Sequence, residues 1–412
     1  MKKKFYCESC KHIAKENGTI LQNDLVDIDN DLPIFCDICG QEILKDLDDI
    51  NDEIDLVNSA LNNKNLHVIC FTAPSIRASI GESFNVPGDC QGKLISALKA
   101  LGFDDVFDMN IAADFTTVEE SKEFLDRLKT NQLPMLTSCC PGWVNYVEKM
   151  YPEFKQNLSS CKSPQQMFGA LINNLYANHI NKKSTDLFIV SIVPCVVKRL
   201  ERLRPDINTA IGYDVDACLT TKQLSKMIKD QNIDFSTLPN GSFDKFFGEA
   251  TGAGVIFGNT GGVMNAVLSS LGEKDCNAKI SKLNTELKNG KSGIKTGSIT
   301  ISGKKVKIAI ASGLNNARDI LEELKANPTT YDFVEVMACP GGCVGGGGQS
   351  PIINAMDKEK IISQRAKILY NAAKNKLIKR SIDNPALQKI YKDYLGNIGG
   401  SKSQQLLHIK RK

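Results

Sequence analysis

The chain has 412 residues, 42% of them hydrophobic, enough to bury a large core and to build one large unit or two lobes with small appendages. A formal net charge of +4, with Lys and Arg dispersed except in the tail, gives no sign of a nucleic-acid surface, and no apolar run approaches the roughly 20 residues of a bilayer span. Met1-Lys2-Lys3-Lys4 runs into Phe5-Tyr6-Cys7 rather than an apolar leader, so 14 cysteines in a chain this long point to a reducing cytoplasm rather than a secreted disulfide framework.

Residues 1–45 carry Cys7-x-x-Cys10 and Cys36-x-x-Cys39-Gly40. Each CxxC turn aims two sulfurs at one ion, so the pair of turns predicts one tetrahedral four-thiolate site. A zinc ribbon, a rubredoxin-like iron and an iron–sulfur cluster all suit that donor set. The CxxCxxCxxxC run of a ferredoxin domain is absent, because Glu42 stands where its third cysteine belongs. Residues 46–65 are acidic with apolar positions at helical spacing, which predicts an exposed helix linking this module to the main body.

From residue 66 the pattern becomes strand, turn, helix. His67 to Thr72 reads as a strand, Ala73-Pro74-Ser75 as the turn, and a helix begins near Ile76. The same grammar recurs at Leu133 to Leu136 before Thr137-Ser138-Cys139-Cys140-Pro141-Gly142-Trp143. It recurs at Asp186 to Val193 before Pro194-Cys195 and a helix bearing Lys198 and Glu201, and at Val306 to Ala311 before a helix from Asn316 to Lys325. Continuous apolar strands that alternate with helices predict an α/β fold with parallel sheets covered on both faces. Residues 252–268 resemble a glycine-rich strand-to-helix turn, but neither GxGxxG nor GxxxxGK[ST] is present, which favours close backbone packing over phosphate binding. The basic tail, 384–412, reads as an extended arm held by scattered apolar residues.

The run Tyr331 to Met337 breaks into Cys339 and Cys343 and then four successive glycines, Gly345 to Gly348, a sign of backbone brought close to something large. With only four histidines in the chain, metal chemistry rests on sulfur. Cys140, Cys195, Cys339 and Cys343, all just after strand ends, suffice for a cubane iron–sulfur cluster. Adjacent residues project differently, so Cys139 is left over beside it.

These stretches resemble the three signatures of the iron–iron hydrogenases, in outline TSCCPxW, MPCxxKxxE and ExMACxxGCxxGGGxP. Thr137 to Trp143 matches the first fully. Pro194 to Glu201 matches the second, with Val193 where methionine is usual. Glu335 to Gly347 matches the third, with its proline displaced to Pro351. The likeness runs from about Leu66 to the end, with a catalytic domain over 66–383 and a fused small-subunit-like segment over 384–412.

The resemblance implies a two-lobed α/β catalytic domain with the cluster between the lobes. Cys140, Cys195 and Cys339 would hold a 4Fe-4S cubane, and Cys343 would bridge it to a diiron subcluster with CO, CN and dithiolate ligands. Ser75 and Lys198 would donate to the cyanides, and Pro194, Gln165 and Met337 would line the pocket. Cys139, Glu120, Ser159 and Glu123 would relay protons. Glu120 and Glu123 are i,i+3 on one helical face, as such a relay needs. It further implies reversible proton reduction with ferredoxin or a similar soluble carrier as electron donor, and maturation proteins that install the diiron unit. An iron–sulfur assembly or adaptor protein, or a hydrogen sensor, is the alternative. Taken singly, the same glutamates read as a solvated face, Lys198 as a surface cation, Ser75 and Ser159 as caps, and Met337 and Gln165 as packing. Cys70, Cys90, Cys161, Cys218 and Cys276 read as small hydrophobes.

Overall fold

The computed structural model describes residues 51–410 apart from 205, 210–211, 273–283, 289–290, 302 and 353, together with four two-residue strands within the first 27 positions. Cys7, Cys10, Cys36 and Cys39 of the expected metal module, and Cys276, lie outside the described residues.

The strands that frame the body are β1 (His67–Thr72), β2 (Asp105–Asp108), β3 (Met135–Leu136), β4 (Leu187–Val193), β5 (Ala217–Thr220), β6 (Asn284–Lys288), β7 (Lys291–Ile301), β8 (Lys304–Ser312) and β9 (Phe333–Met337). Four form an all-parallel sheet in the order β2-β1-β4-β5. The others form a second sheet, β6-β7-β8-β9-β3, parallel from β8 to β3 and antiparallel across β6, β7 and β8. The expected parallel strands are therefore present in both sheets. The antiparallel edge is an addition: β7 alternates buried Ile299 and Ile301 with exposed Ser298 and Thr300, a half-buried pattern unlike the continuous apolar runs.

The core follows from the pleat. On β8 and β9, Ala309, Ala311, Val334 and Val336 enter one apolar cluster while Val306, Ile308, Ile310, Phe333 and Met337 enter another on the opposite face. A strand covered on both sides has no position for a polar residue without a partner, so the covered stretches read as apolar, with Glu335 of β9 admitted because it is hydrogen-bonded. The first sheet packs Phe71, Phe107, Phe168 and Phe247, with ring centroids 4.8–6.1 Å apart.

Helix α1 (Asn51–Leu61) departs from the exposed linker expected of it. Ile54, Val57 and Ala60 are buried. Glu53 turns inward as well: its Oε1 accepts from Arg202 at 2.8 Å and Arg199 at 3.2 Å, and its Oε2 from the Cys218 N–H at 2.7 Å. The acidic composition concealed one carboxylate that two arginines hold inside. Next along the chain, β2 leads into α2 (Asn110–Thr130), β3 into α3 (Pro141–Met150) and β4 into α5 (Val197–Arg202), with α4 (Pro164–Leu171) between them.

The glycine-rich stretch is two helices, α6 (Gly252–Ile256) and α7 (Gly262–Ser270), rather than a strand and a helix. Its close-packing reading holds: a Cβ on Gly254 would sit 2.4 Å from the Asn110 carbonyl oxygen. Helix α8 (Leu314–Ala326) follows β8 much as expected. The C-terminal part folds as α9 (Lys358–Asn375), α10 (Pro385–Ile390) and α11 (Ser401–Leu407), with Leu387, Leu395, Leu406 and Leu407 buried, so it is no extended arm. Its start signal was present in the sequence, since Asn384 caps α10 and Pro385 occupies its first turn.

Arg365 of α9, 2% exposed, donates to the Val344 carbonyl at 3.1 Å and the Ser350 carbonyl at 2.8 Å while pairing with Glu82. It ties the tail helix to the glycine loop after β9. Arg365→Ala leaves two buried carbonyls and a partly buried carboxylate without their partner. It should lower unfolding free energy by about 3 kcal/mol, measured by denaturant titration. A loss within experimental error of zero would show that the loop holds itself.

Candidate active site

Strand ends from both sheets meet at one cavity. Its lining includes Ala73 and Pro74 after β1, Cys139 and Cys140 after β3, Pro194 and Cys195 after β4, and Ala338, Cys339 and Cys343 after β9. Gln165, Val193, Lys198, Gly258 and Met337 are also part of the wall. Open α/β sheets place ligands at the carboxyl ends of their strands, and here two sheets do so face to face. The glycines after Cys343 bring the chain close to itself at the cavity edge: a Cβ on Gly346, which also lines the cavity, would lie 2.4 Å from the Pro194 carbonyl oxygen. The second and third cysteine loops touch through that contact, and the Gly348 N–H donates to the same carbonyl at 2.9 Å.

The cavity's chemistry fits a soft-metal cluster. All nine described cysteines are free thiols. Burial pushes Cys195 up to about 11 and Cys343 to about 12, and Cys339 well above its ordinary range, with repulsion from Cys140 or Cys195 adding in each case. Thiols that raise one another in this way inside one cavity ionise together only around a cation. The Ala338 N–H already points at Cys140 Sγ, 3.5 Å away. Ser75, fully buried beside Pro74, has a hydroxyl with no hydrogen-bond partner. A Cβ on cavity-lining Gly258 would lie 3.6 Å from Ser75 Cβ, so this orphan donor lies directly behind the cavity wall.

Lys198 Nζ donates to the Cys139 carbonyl at 3.2 Å and to Glu201 at 2.8 Å, so two of its three N–H groups are committed. Burial works against its charge, but Glu201 outweighs burial and holds Lys198 above its ordinary value. Gln165 lines the cavity with its amide tied down, donating to the Lys198 carbonyl at 3.1 Å and accepting from Ser191 at 2.8 Å.

The expected relay residues lie behind Cys139, on α2 and the loop after α3. Both carboxyl oxygens of Glu120 are buried without a hydrogen-bond partner. Burial, then the charge of Glu123, push its carboxyl up to about 8; the Ser159 hydroxyl and the Ser138 N–H lie close enough to pull it back slightly but do not hydrogen-bond to it, the Ser159 O–H being given to Glu123. Ser159 donates to Glu123 Oε2 at 2.8 Å. Burial alone would raise Glu123 too, yet Arg127 at 2.7 Å, with Ser159 and the Ser160 N–H, holds it below the usual range. A protonated carboxyl and an ionised one thus flank a serine hydroxyl. Glu123 opens onto a surface cavity also lined by Glu119, Asp126 and Arg127. Cys139 does not titrate near neutrality as a free thiol does: burial, then Glu120 and Cys140, push it well above 9.0.

Several residues that shape the site carry no signal of their own in the sequence. Glu201 and Glu335 stand inside the matched motifs without an expected role. Glu335, fully buried, accepts from the Gly261 N–H at 2.6 Å and the Met264 N–H at 2.7 Å, which anchors the start of α7 against β9. Gln349 donates to the Ser75 and Cys343 carbonyls at 3.3 and 3.2 Å, linking the loops that carry them. Arg365 had no local signal, because its partners are the distant Glu82 and backbone carbonyls, whereas Arg127 stands four residues after Glu123 on one helix, a spacing that could have marked the pair.

Residues 66–347 match the family model for the C-terminal domain of the large chain of the iron-only hydrogenases, and residues 359–410 match the model for the iron hydrogenase small chain. Iron hydrogenase 1 of Clostridium pasteurianum is 42% identical over 364 residues, 87% of this chain, and the chain spans only 63% of that protein. A cytosolic Fe-S cluster assembly factor, narfl of Xenopus tropicalis, is 31% identical over 357 residues, 83% of this chain and 74% of that protein. The solved apo FeFe-hydrogenase HydA1 of Chlamydomonas reinhardtii superposes with a TM-score of 0.75 at 32% identity, covering 87% of this chain and 98% of that one. Four thiols at the ends of strands from two sheets, with both family models matched in order along one polypeptide, make this chain a member of the iron-only hydrogenase family.

Proposed function

We propose that the chain reversibly reduces protons to dihydrogen, taking electrons from a soluble carrier such as ferredoxin. The observation that carries this is the fifth thiol: beside four cysteines suited to one cluster stands Cys139, which lines the same cavity and lies near enough to the buried Glu120 to feel its charge. Cys140, Cys195 and Cys339 would hold the 4Fe-4S cubane, and Cys343 would hold it while joining the diiron subcluster. The bound group would supply stored electrons, an open iron position and a bridging amine base. Ser75 Oγ and the remaining Lys198 N–H would donate to its anionic diatomic ligands, since anions in a dry wall need donors. Pro194, Gln165 and Met337 keep water out of that side.

Proton delivery is the work of the chain's own residues. Cys139 would exchange a proton with the pocket and with Glu120, Ser159 would pass it by rotating its hydroxyl, and Glu123 would exchange it with water in the outer cavity. Electrons would enter at the cubane, or through the four-cysteine module if that binds iron. The reading places this work in the cytoplasm, where reduced thiols persist. Among the described residues no helix is long and apolar enough to cross a membrane. Maturation proteins would install the diiron unit. An assembly role like that of the narfl relative leaves Cys139 and the Glu120-Ser159-Glu123 series without a purpose.

Infrared spectroscopy after anaerobic maturation tests the reading, because carbonyl and cyanide stretches have no other protein source. Cys343→Ser should lose those bands along with all hydrogen turnover. A normal diiron spectrum in that variant would reassign the bridge, and no such bands in the wild type would sink the proposal.

A further inference from the structure

Outside the cavity, three side chains of different chemistry converge on the loop after α3. Cys161 Sγ lies 3.8 Å from Glu123 Oε2 and 3.9 Å from His408 Nδ1, and the three ligand atoms all fall within 4.8 Å of one another. We propose that Glu123, Cys161 and His408 form a second metal site, for one borderline-soft divalent cation of the zinc type, set across the outer end of the proton route. That location rests on the relay reading above; the site itself does not.

The imidazole is oriented as a metal ligand is. Glu119 accepts from the Gly399 N–H at 2.9 Å and from the Tyr391 hydroxyl, so this carboxylate acts as an acceptor throughout. His408 Nε2, 3.0 Å from Glu119 Oε2, must therefore be the nitrogen that carries the proton. The Nδ1 lone pair is left facing Cys161 and the Ser160 hydroxyl, the latter 2.7 Å away. A carboxylate behind a histidine that turns its bare nitrogen toward a thiol is the outer-shell arrangement of zinc sites.

The geometry needs little adjustment. Zinc–sulfur bonds of about 2.3 Å and zinc–nitrogen or –oxygen bonds of about 2.0–2.1 Å set neighbouring ligand atoms about 3.3–3.6 Å apart at tetrahedral angles. Two of the three edges are within a few tenths of an ångström of that. Ser160 Oγ, 3.1 Å from Glu123 Oε2 and bonded to His408, is a neutral fourth donor that touches two of the three ligands. Charge balances as well. The Cys161 S–H bond breaks, its proton leaves to water, and thiolate plus carboxylate neutralise the dication. Arg127 meanwhile keeps its bonds to Glu123 Oε1 at 2.7 and 3.0 Å. A cation on Oε2 takes the oxygen that Ser159 uses, so binding cuts the relay between Ser159 and Glu123.

The test uses full-length, cluster-loaded protein equilibrated with Zn2+ and then counted by metal analysis. Wild type should hold one more zinc per chain than either Cys161→Ala or His408→Gln, since the N-terminal cysteines contribute equally to all three. Glu119→Gln should keep the ion with about 10–100-fold weaker affinity. Equal zinc counts in wild type and Cys161→Ala overturn the site, and that substitution only trims one buried sulfur, so it decides even if His408→Gln does not fold. Turnover is read separately. Extra zinc that leaves hydrogen turnover untouched keeps the site and overturns the relay through Glu123, whereas zinc that slows wild type and Cys161→Ala alike, at equal counts, overturns the site and leaves the relay standing.

Discussion

Cys139→Ala is expected to lower hydrogen turnover by about 10²–10⁴-fold, the usual worth of a positioned proton-transfer group, while iron content and infrared bands stay as in wild type. Four other thiols line the same cavity, so the metal cluster does not need this one. Alanine fills most of the space and leaves the Cys139 carbonyl, the acceptor for Lys198, in place. What disappears is a cavity-lining sulfur near Glu120 that the four-thiol cluster does not require. Because burial holds this thiol well above 9.0, it works as a resting S–H that gives up its proton only as another arrives, which suits relay in both directions. Assays of both hydrogen evolution and hydrogen uptake check this. Unchanged turnover would remove Cys139 from the route, and loss of cluster bands would make it a ligand instead.

The cysteine ends of the strands were legible because their signal is local: an apolar run, a small turn and a thiol at a fixed offset. The strand-end pattern alone named Cys140, Cys195, Cys339 and Cys343, and the structure brings all four to one cavity. The burial of the residues proposed for the relay could not be read from the chain, since nothing in a helix sequence distinguishes a buried glutamate such as Glu120 from the solvated neighbours it resembles. Glu53 shows the same limit, because its partners Arg199, Arg202 and Cys218 lie on other elements. The misreading of 252–268 has a physical cause. Glycine is poor in helix interiors, so three glycines in seven residues read as a strand and turn, yet they permit a tight helix against α2 where Gly254 meets Asn110. His408 stands out in the sequence only as part of the tail, and its bond to Glu119 is a contact 289 residues long that no spacing rule reaches.

Glu120→Gln separates function from stability more sharply. The amide has no proton to pass on, so turnover should fall by about 10²–10⁴-fold, as for Cys139. Stability should move the other way. In the folded chain the Glu120 carboxyl titrates at about 8 because it is buried without a partner, against an ordinary value of 4.5. Below 4.5 both folded and unfolded forms are protonated and no difference arises. Between 4.5 and about 8 the unfolded chain gives up a proton that the folded one keeps, so folding is penalised progressively as pH rises, by about 1.4 kcal/mol per unit at most. Above about 8 the folded carboxyl also ionises and the penalty levels off. Glutamine removes that slope, so the variant should be more stable than wild type, by several kcal/mol at the alkaline end and by little near pH 4.5. Denaturant titrations of both proteins across this range, in the same state of cluster loading, measure the gap directly. Parallel stability profiles would mean that Glu120 finds a partner or water in solution, and an inactive enzyme with parallel profiles would leave it a relay group whose proton is not held by burial.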